Sequence, residues 1–272
     1  MRRPVAGLVL AAMLVAALAG CSRLSFVKAD PSRGEYIQVA PDYQVREGED
    51  EERRSLALSL VAAAGEALQA GRLDQASAQA EKALDNDRSS AGAHTVLALV
   101  AERRGDAGAA GRHYAEAVKL APRRGNALNN YAAWLCSNGR VAESLPIFDR
   151  ALADRSYRTP EAALANAGRC RLMAGEGERA ERYLRLALEM DKDNPVALAG
   201  MARYSYDTGD YLQARAFSER RLAAAAATPE VLQLASQIEQ KLGDMAASAD
   251  YVQRMRNEFP QSQTPRGGVG QQ

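Results

Sequence analysis

A glycine recurs through most of this chain at a nearly constant interval, and that interval limits the fold more than any other feature. The intervals between successive glycines are 34, 34, 36, 34 and 34 residues. These glycines are Gly71, Gly105, Gly139, Gly175, Gly209 and Gly243. Five residues after each of them stands a small residue: Ala76, Ala110, Ser144, Ala180, Ala214 and Ser248. A period of this length predicts an array of small structural units that stack on one another.

Each unit is predicted to be two antiparallel helices joined by the glycine turn. Glycine tolerates the left-handed backbone that ends a first helix, and small residues let the second helix pack closely against it. Because one hairpin cannot bury its apolar face, neighbouring units must share a continuous core. One position of the second helix is bulky in four units and small in units one and five, which match the pattern less well. Its occupants, in chain order, are Ala80, Tyr114, Phe148, Leu184, Ser218 and Val252.

The pattern resembles the tetratricopeptide repeat over roughly residues 57–262. That resemblance implies an all-α fold, a right-handed superhelical solenoid of six repeats with a concave binding face. The predicted frames are 57–90, 91–124, 125–160, 161–194, 195–228 and 229–262. The first-helix glycine of the repeat pattern appears only as Gly168. Two other residues carry expectations of their own. Arg221 replaces a small packing residue, so the fifth unit should open locally, and Pro146 should bend the second helix of unit three.

Residues 1–20 are predicted to be a lipoprotein signal peptide. Arg2 and Arg3 precede an apolar stretch too short to span a membrane, which ends in Leu-Ala-Gly-Cys21. This ending resembles the bacterial lipobox, which implies acyl chains on Cys21 and a membrane anchor. The serine at position 22 resembles the outer-membrane class. Residues 21–56 are predicted to be the acylated cysteine and a flexible tether, and residues 263–272 a disordered tail. The alternative is an ordinary signal peptide with an incidental cysteine.

The first helix of each unit should line the concave groove. At the groove-facing positions, the first two units supply the apolar residues Leu58, Val61, Leu68 and Leu99. Unit three supplies Asn126 and Asn129, with Asn130 beside them, and Arg169 and Arg203 follow along the groove. Asparagine both donates and accepts hydrogen bonds, which suits contact with a peptide backbone. We therefore expect an apolar end followed by a polar region, unless the apolar residues simply meet the tether or a neighbouring helix.

Few residues in this chain suggest a disulfide, a metal site or a catalytic site. Cys136 and Cys170 fall on the first helices of adjacent units, so a disulfide is possible and would persist in an oxidising periplasm. We favour that bridge over two buried thiols. His94 and His113 fall in different helices without metal-ligand spacing, and we expect them to pack. No nucleophile motif or phosphate-binding loop is present, and the formal charge is +1. We expect no enzyme, no cofactor, no metal, no small-molecule substrate and no nucleic-acid partner.

Several segments are similar to the type IV pilus pilotin lipoprotein family (PilF/PilW). They are Asn126–Tyr131 with Leu135-Cys136, Asn166–Cys170, Ala180–Leu184 and Met255–Pro260. The family commonly carries a cysteine pair at these two positions. The resemblance implies an outer-membrane lipoprotein that faces the periplasm, binds the secretin subunit and supports its multimerisation, on which pilus extension and twitching motility depend.

Two other functions remain possible from the sequence. The first is another periplasmic repeat lipoprotein that scaffolds envelope or outer-membrane-protein assembly. The second is an enzyme such as a peptidoglycan hydrolase, which would need clustered catalytic residues. Deletion of the gene separates the first from a pilotin, because only loss of a pilotin should remove secretin multimers.

Overall fold

The computed structural model describes residues 48–260, which form twelve helices arranged as six hairpins. In chain order the helices are α1 (Glu49–Gln69), α2 (Leu73–Asn86), α3 (Ala91–Arg103), α4 (Ala107–Leu120), α5 (Gly125–Ser137), α6 (Val141–Leu152), α7 (Pro160–Met173), α8 (Gly177–Met190), α9 (Pro195–Asp207), α10 (Tyr211–Ala224), α11 (Pro229–Leu242) and α12 (Met245–Glu258). Odd-numbered helices are the first helices of the units. No strand occurs within this range, and the predicted all-α repeat architecture is confirmed.

The six repeating glycines form the hairpin turns. All six have positive φ values, between 73° and 83°, and they are the only glycines with such values in the described part of the chain. At the first turn, the Arg72 amide donates to the Ala67 carbonyl at 2.8 Å and the Gly71 amide donates to that of Leu68 at 3.1 Å. These bonds satisfy carbonyls that the end of a helix leaves free. The sequence period therefore marks one backbone conformation, repeated six times.

Small residues determine how closely the hairpins pack. Leu184 of α8 is fully buried, and it lies against glycines of the two neighbouring first helices. A Cβ atom on either Gly168 of α7 or Gly200 of α9 would come within 2.7 Å of its side chain. Leu184 thus joins its own unit to the next one. This contact shows how two adjacent repeats share one core.

The first helix is longer than predicted. We expected a tether through residue 56, whereas α1 begins at Glu49. Four acidic residues, 49–52, occupy its first turn, where their negative charges stabilise the helix by interacting with the positive end of its dipole. Arg53 pairs with Asp50 on the same exposed surface. The tether prediction is therefore corrected at its end, and its remainder falls outside the described residues, as do the signal peptide, Cys21 and the predicted tail.

Arg221 fits into the fifth unit without the local opening that we expected. Its side chain is buried, and its guanidinium donates to the carbonyl oxygens of Ala225 at 3.0 Å and Ala226 at 3.2 Å. These carbonyls follow the end of α10, so the cation satisfies acceptors at the negative end of a helix. Pro146 lies within α6, which continues across it to Leu152. Within residues 48–260, no helix is long and apolar enough to cross a bilayer.

Candidate protein-binding groove

The first helices of units one to three line a cleft of about 660 Å³, which we call the amino-terminal cleft. Its apolar side is a stripe on α1 formed by Leu58, Val61 and Gly65, which are spaced so that they share one helix face. Leu58 is 71% exposed. Facing this stripe are α3 residues that include Gly92, where a Cβ atom would lie 3.0 Å from Cγ1 of Val61. The surface is thus apolar, open and shaped by small residues.

The far wall of the cleft is the linker between α6 and α7. This linker spans residues 153–159 and folds back over the start of α5. Oδ2 of Asp154 accepts a hydrogen bond from the Gly125 amide at 2.8 Å, and Oδ1 accepts from the amide and hydroxyl of Ser156. The Gly125 bond, helped by those from Ser156, lowers the pKa of Asp154. A Cβ atom on Gly125 would lie 2.6 Å from the Tyr157 ring, so the approach requires glycine.

The sequence holds a signal for this wall that our interpretation missed. The linker contains seven residues, whereas the linkers at 87–90, 121–124, 191–194 and 225–228 contain four each. The glycine interval of 36 between Gly139 and Gly175 covers this linker. The longer linker brings Tyr157 and Arg158 to the cleft, and Arg124 lies beside them. A break in an otherwise regular period therefore marked the linker that forms this wall of the cleft.

The predicted groove residues divide into three groups in the structure. Leu58, Val61 and Asn126 line the amino-terminal cleft. Leu68 is only 7% exposed and Leu99 is half-buried, and both pack in the core of units one and two. Leu68 belongs to the core because it lies next to the turn, where α1 meets α2. A substitution there would test folding and would say little about binding.

The other two predicted asparagines, Asn129 and Asn130, form a separate polar cluster farther along the first helices. Asn129 is buried, and its side-chain oxygen accepts a hydrogen bond from Asn166 of α7 at 3.1 Å. Its amide nitrogen donates to Asn130 at 3.5 Å. The cluster links the first helices of units three and four. Asn130 itself is half-buried.

The same two first helices are joined covalently. The structure has a disulfide between Cys136 of α5 and Cys170 of α7, with the Cα atoms 6.0 Å apart. Both residues are fully buried and pack in one apolar cluster with Phe148 of α6. The cross-link therefore ties together the same two first helices that the asparagine cluster links.

The two histidines meet between α3 and α4. Nδ1 of His94 lies 3.1 Å from Nδ1 of His113, so one ring donates and the other accepts. Burial lowers the pKa of both rings, which favours the neutral forms that such a bond requires. In the part of the chain that the structure describes, no group of three His, Cys, Asp or Glu side chains is placed to hold a metal ion. This geometry is that of a packed, hydrogen-bonded pair.

Comparison with known proteins identifies the repeat and its relatives. Two tetratricopeptide-repeat models match the chain, one over residues 61–125 and 135–195 and the other over residues 171–238. The type IV pilus assembly protein PilF of Pseudomonas aeruginosa is 26% identical over 195 residues, covering 72% of this chain and 77% of that protein. The crystal structure of PilW, a widely conserved type IV pilus biogenesis factor, superposes with a TM-score of 0.64 at 28% identity. That match covers 79% of this chain and 95% of PilW.

A third relative matches this chain over only a small part of its own length. The cellulose synthase 2 operon protein C of Komagataeibacter xylinus is 32% identical over 201 residues, but these are only 15% of that protein. Repeats of this kind are interaction modules that serve many systems, and the fold by itself does not identify a partner. The predicted kinship with the PilF and PilW proteins is confirmed by the matches that cover most of both chains.

Proposed function

This chain belongs to the tetratricopeptide-repeat family, and we propose that it is a lipid-anchored scaffold of type IV pilus biogenesis that binds the secretin subunit. The observation that carries the proposal is the match to PilW, which spans 95% of that protein and 79% of this chain. The PilF match supports the same assignment. In this role the protein catalyses no reaction: its groove binds a segment of secretin, and its anchor brings the subunit to the outer membrane.

The amino-terminal cleft is the proposed contact surface for secretin. It is apolar along α1 and carries two arginines, Arg124 and Arg158, at the opposite wall. A peptide segment with apolar side chains and an acidic residue complements both sides. Burying exposed Leu58 and half-buried Val61 supplies hydrophobic stabilisation, and the arginines orient the segment.

A matched pair of leucines tests the contact surface. Leu58 lies in the cleft at 71% exposure, and Leu212 lies on α10, outside the cleft, at 69% exposure. Because neither side chain supports the core, neither Leu58→Glu nor Leu212→Glu should lower the melting temperature. We expect Leu58→Glu to reduce co-purification of secretin at least tenfold and Leu212→Glu to change it less than twofold. Equal binding by the two variants would exclude the cleft.

Deletion of the gene tests the role itself. We expect heat-stable secretin multimers to disappear from outer-membrane fractions, together with twitching motility. Multimers that persist while the envelope weakens would instead favour the envelope-assembly scaffold. This experiment also separates the pilotin role from a role like that of the cellulose-operon relative, whose loss should leave secretin unaffected.

The anchor is tested at Cys21, which precedes the described residues. Replacing it by alanine removes the sulfur that would carry the diacylglyceryl group. Several acyl chains make membrane binding effectively permanent, whereas their loss leaves no apolar anchor. We expect Cys21→Ala to move the protein into the soluble periplasmic fraction and to prevent secretin multimers from reaching the outer membrane. A variant that stays in the membrane fraction would contradict acylation at this residue.

A further inference from the structure

Five arginines lie together at the edge of units two and three that the linkers between repeats form. They come from the linker between α4 and α5, from the last turn of α6 and from the linker between α6 and α7. We call this set the basic edge, and its members are Arg123, Arg124, Arg150, Arg155 and Arg158. All five residues are exposed. The formal charge of the whole chain is only +1, so the total charge gives no sign of this local concentration.

Two hydrogen bonds hold the segments of the basic edge together. Nη2 of Arg150 donates to the carbonyl oxygen of Pro122 at 2.9 Å, which joins the end of α6 to the first linker. Oδ2 of Asp154 accepts from the Gly125 amide at 2.8 Å, which joins the second linker to the start of α5. The five arginines therefore belong to one surface, although they are separated in the sequence.

The basic edge carries an excess of positive charge. Within residues 48–260, none of its five guanidinium groups forms an ion pair with a carboxylate. Asp154, the one acidic residue of the two linkers, accepts from the Gly125 amide. The other linkers between repeats hold no such excess: 87–90 has one arginine and one aspartate, 191–194 has one lysine and two aspartates, and 225–228 has no charged residue. Among the linkers, the excess is thus confined to units two and three.

We propose that the basic edge binds anionic phosphate headgroups of the bilayer and so turns this edge of the repeats towards the membrane. The bilayer itself follows from the proposed lipid-anchored scaffold function, on which this inference rests. Arg123, Arg150 and Arg155 do not line the amino-terminal cleft, and exposed cations spread over three segments suit a broad anionic surface. Each basic residue near an anionic bilayer raises the affinity about fivefold. Acyl chains hold a protein at the bilayer, and the basic edge adds an orientation.

Units four and five supply a matched control. Arg220 of α10 occupies the same repeat position as Arg150 of α6. Its Nη2 donates to the carbonyl oxygen of Lys192 at 2.7 Å, as that of Arg150 does to Pro122. The linker that it contacts, 191–194, contains two aspartates, so no excess of positive charge forms there. Loss of charge alone should act equally at both places, whereas binding by the basic edge should be lost only in units two and three.

The test is co-sedimentation of the mature chain, carrying Cys21→Ala so that no acyl group contributes, with two kinds of vesicle. One kind is phosphatidylcholine alone, and the other also contains phosphatidylglycerol as the anionic lipid. We expect binding to the anionic vesicles only, and weaker binding at high ionic strength because salt screens exposed charges. The double variant Arg123→Gln, Arg155→Gln should bind at least tenfold more weakly. The control Lys192→Gln, Arg220→Gln also removes two charges and should change the affinity less than twofold.

Three results would overturn membrane binding by the basic edge: equal binding to both kinds of vesicle, binding to neither, or equal losses in the two double variants. A protein that ignores the anionic vesicles but binds polyglutamate would replace the membrane by an acidic protein partner. All four substituted residues are exposed, so both double variants should keep the melting temperature of the parent. The vesicles contain no secretin. Vesicle binding combined with intact secretin multimers after gene deletion would therefore reject the scaffold function and retain the basic edge.

Discussion

Units one and three fill the same position of their second helices in opposite ways. Ala80 of α2 and Phe148 of α6 are structurally equivalent, and both are fully buried. In unit three the phenylalanine packs against both cysteines of the disulfide. In unit one the alanine lies in a cluster built from many alanines, into which Leu68 of α1 also packs. The two units therefore keep one backbone pattern while the same second-helix position holds a ring in one unit and a methyl group in the other.

The groove faces of the two units differ as well. In unit one, α2 offers a small residue at the Ala80 position, and Leu68 of α1 packs into the same core, with Leu73 and Leu84 of α2 at its edge. Leu58 and Val61, two to three turns earlier on α1, line the apolar side of the cleft. In unit three, Phe148 fills the equivalent position of the second helix, and α5 carries the asparagines. The size of this second-helix side chain and the polarity of the neighbouring first helix therefore change together between the two units.

The largest expected effect is on the stability of unit three. Phe148→Ala removes a fully buried ring whose neighbours include a cross-linked pair of residues, so the site has little freedom to collapse. Such cavities cost about 3–5 kcal/mol. Urea unfolding followed by circular dichroism should show this loss at an unchanged slope. A loss below about 1 kcal/mol would mean that unit three repacks as readily as an alanine-lined unit.

The next largest effect is on the stability that the disulfide provides. Within residues 48–260, a disulfide occurs only between units three and four. Its loop of 34 residues predicts about 3–4 kcal/mol of stabilisation through the unfolded chain. Replacing both Cys136 and Cys170 by serine should therefore lower the urea midpoint markedly. Mass spectrometry without reductant provides the control, since the native protein should offer neither thiol for alkylation. Two alkylatable thiols would show that Cys136 and Cys170 are buried thiols and do not form a disulfide.

The reverse substitution in unit one has a smaller effect. Ala80→Phe places a ring where the alanine-lined core already contains Leu68, and overpacking of this kind costs about 1–3 kcal/mol. We expect the double variant Ala80→Phe, Leu68→Ala to recover part of that loss, because the two side chains compete for one space. The measurement is the urea midpoint of four proteins: the wild type, the two single variants and the double variant. Additive losses in the double variant would show that Leu68 and Ala80 do not share a packing space.

Sequence reasoning located the repeating elements well because their determinants are local. A left-handed turn needs glycine, and so Gly71 and its five equivalents could be read as hairpin turns from spacing alone. Whether Leu68 is buried depends on the residues of α2 that lie opposite it. Its place in the repeat pattern predicts only that it lies on the groove side of α1. The side-chain partner of Arg169 was equally hidden, because ion pairing is decided by carboxylates elsewhere in the chain. Arg171, two residues away, has them and Arg169 does not.

The smallest effect concerns the wall that unit three adds to the cleft. The bond from the Gly125 amide, with those from Ser156, holds the pKa of Asp154 below its ordinary value, so the ionised form favours the folded linker. That contribution is present at neutral pH and is lost as the pH falls through the depressed pKa. The Gly125 amide proton should therefore shift in NMR spectra with a midpoint below the ordinary value of 3.8. Asp154→Asn should abolish this titration and leave the melting temperature at neutral pH slightly lower. A midpoint at or above 3.8 would mean that the linker is held by Tyr157 packing on Gly125, and the cleft wall would then be independent of pH.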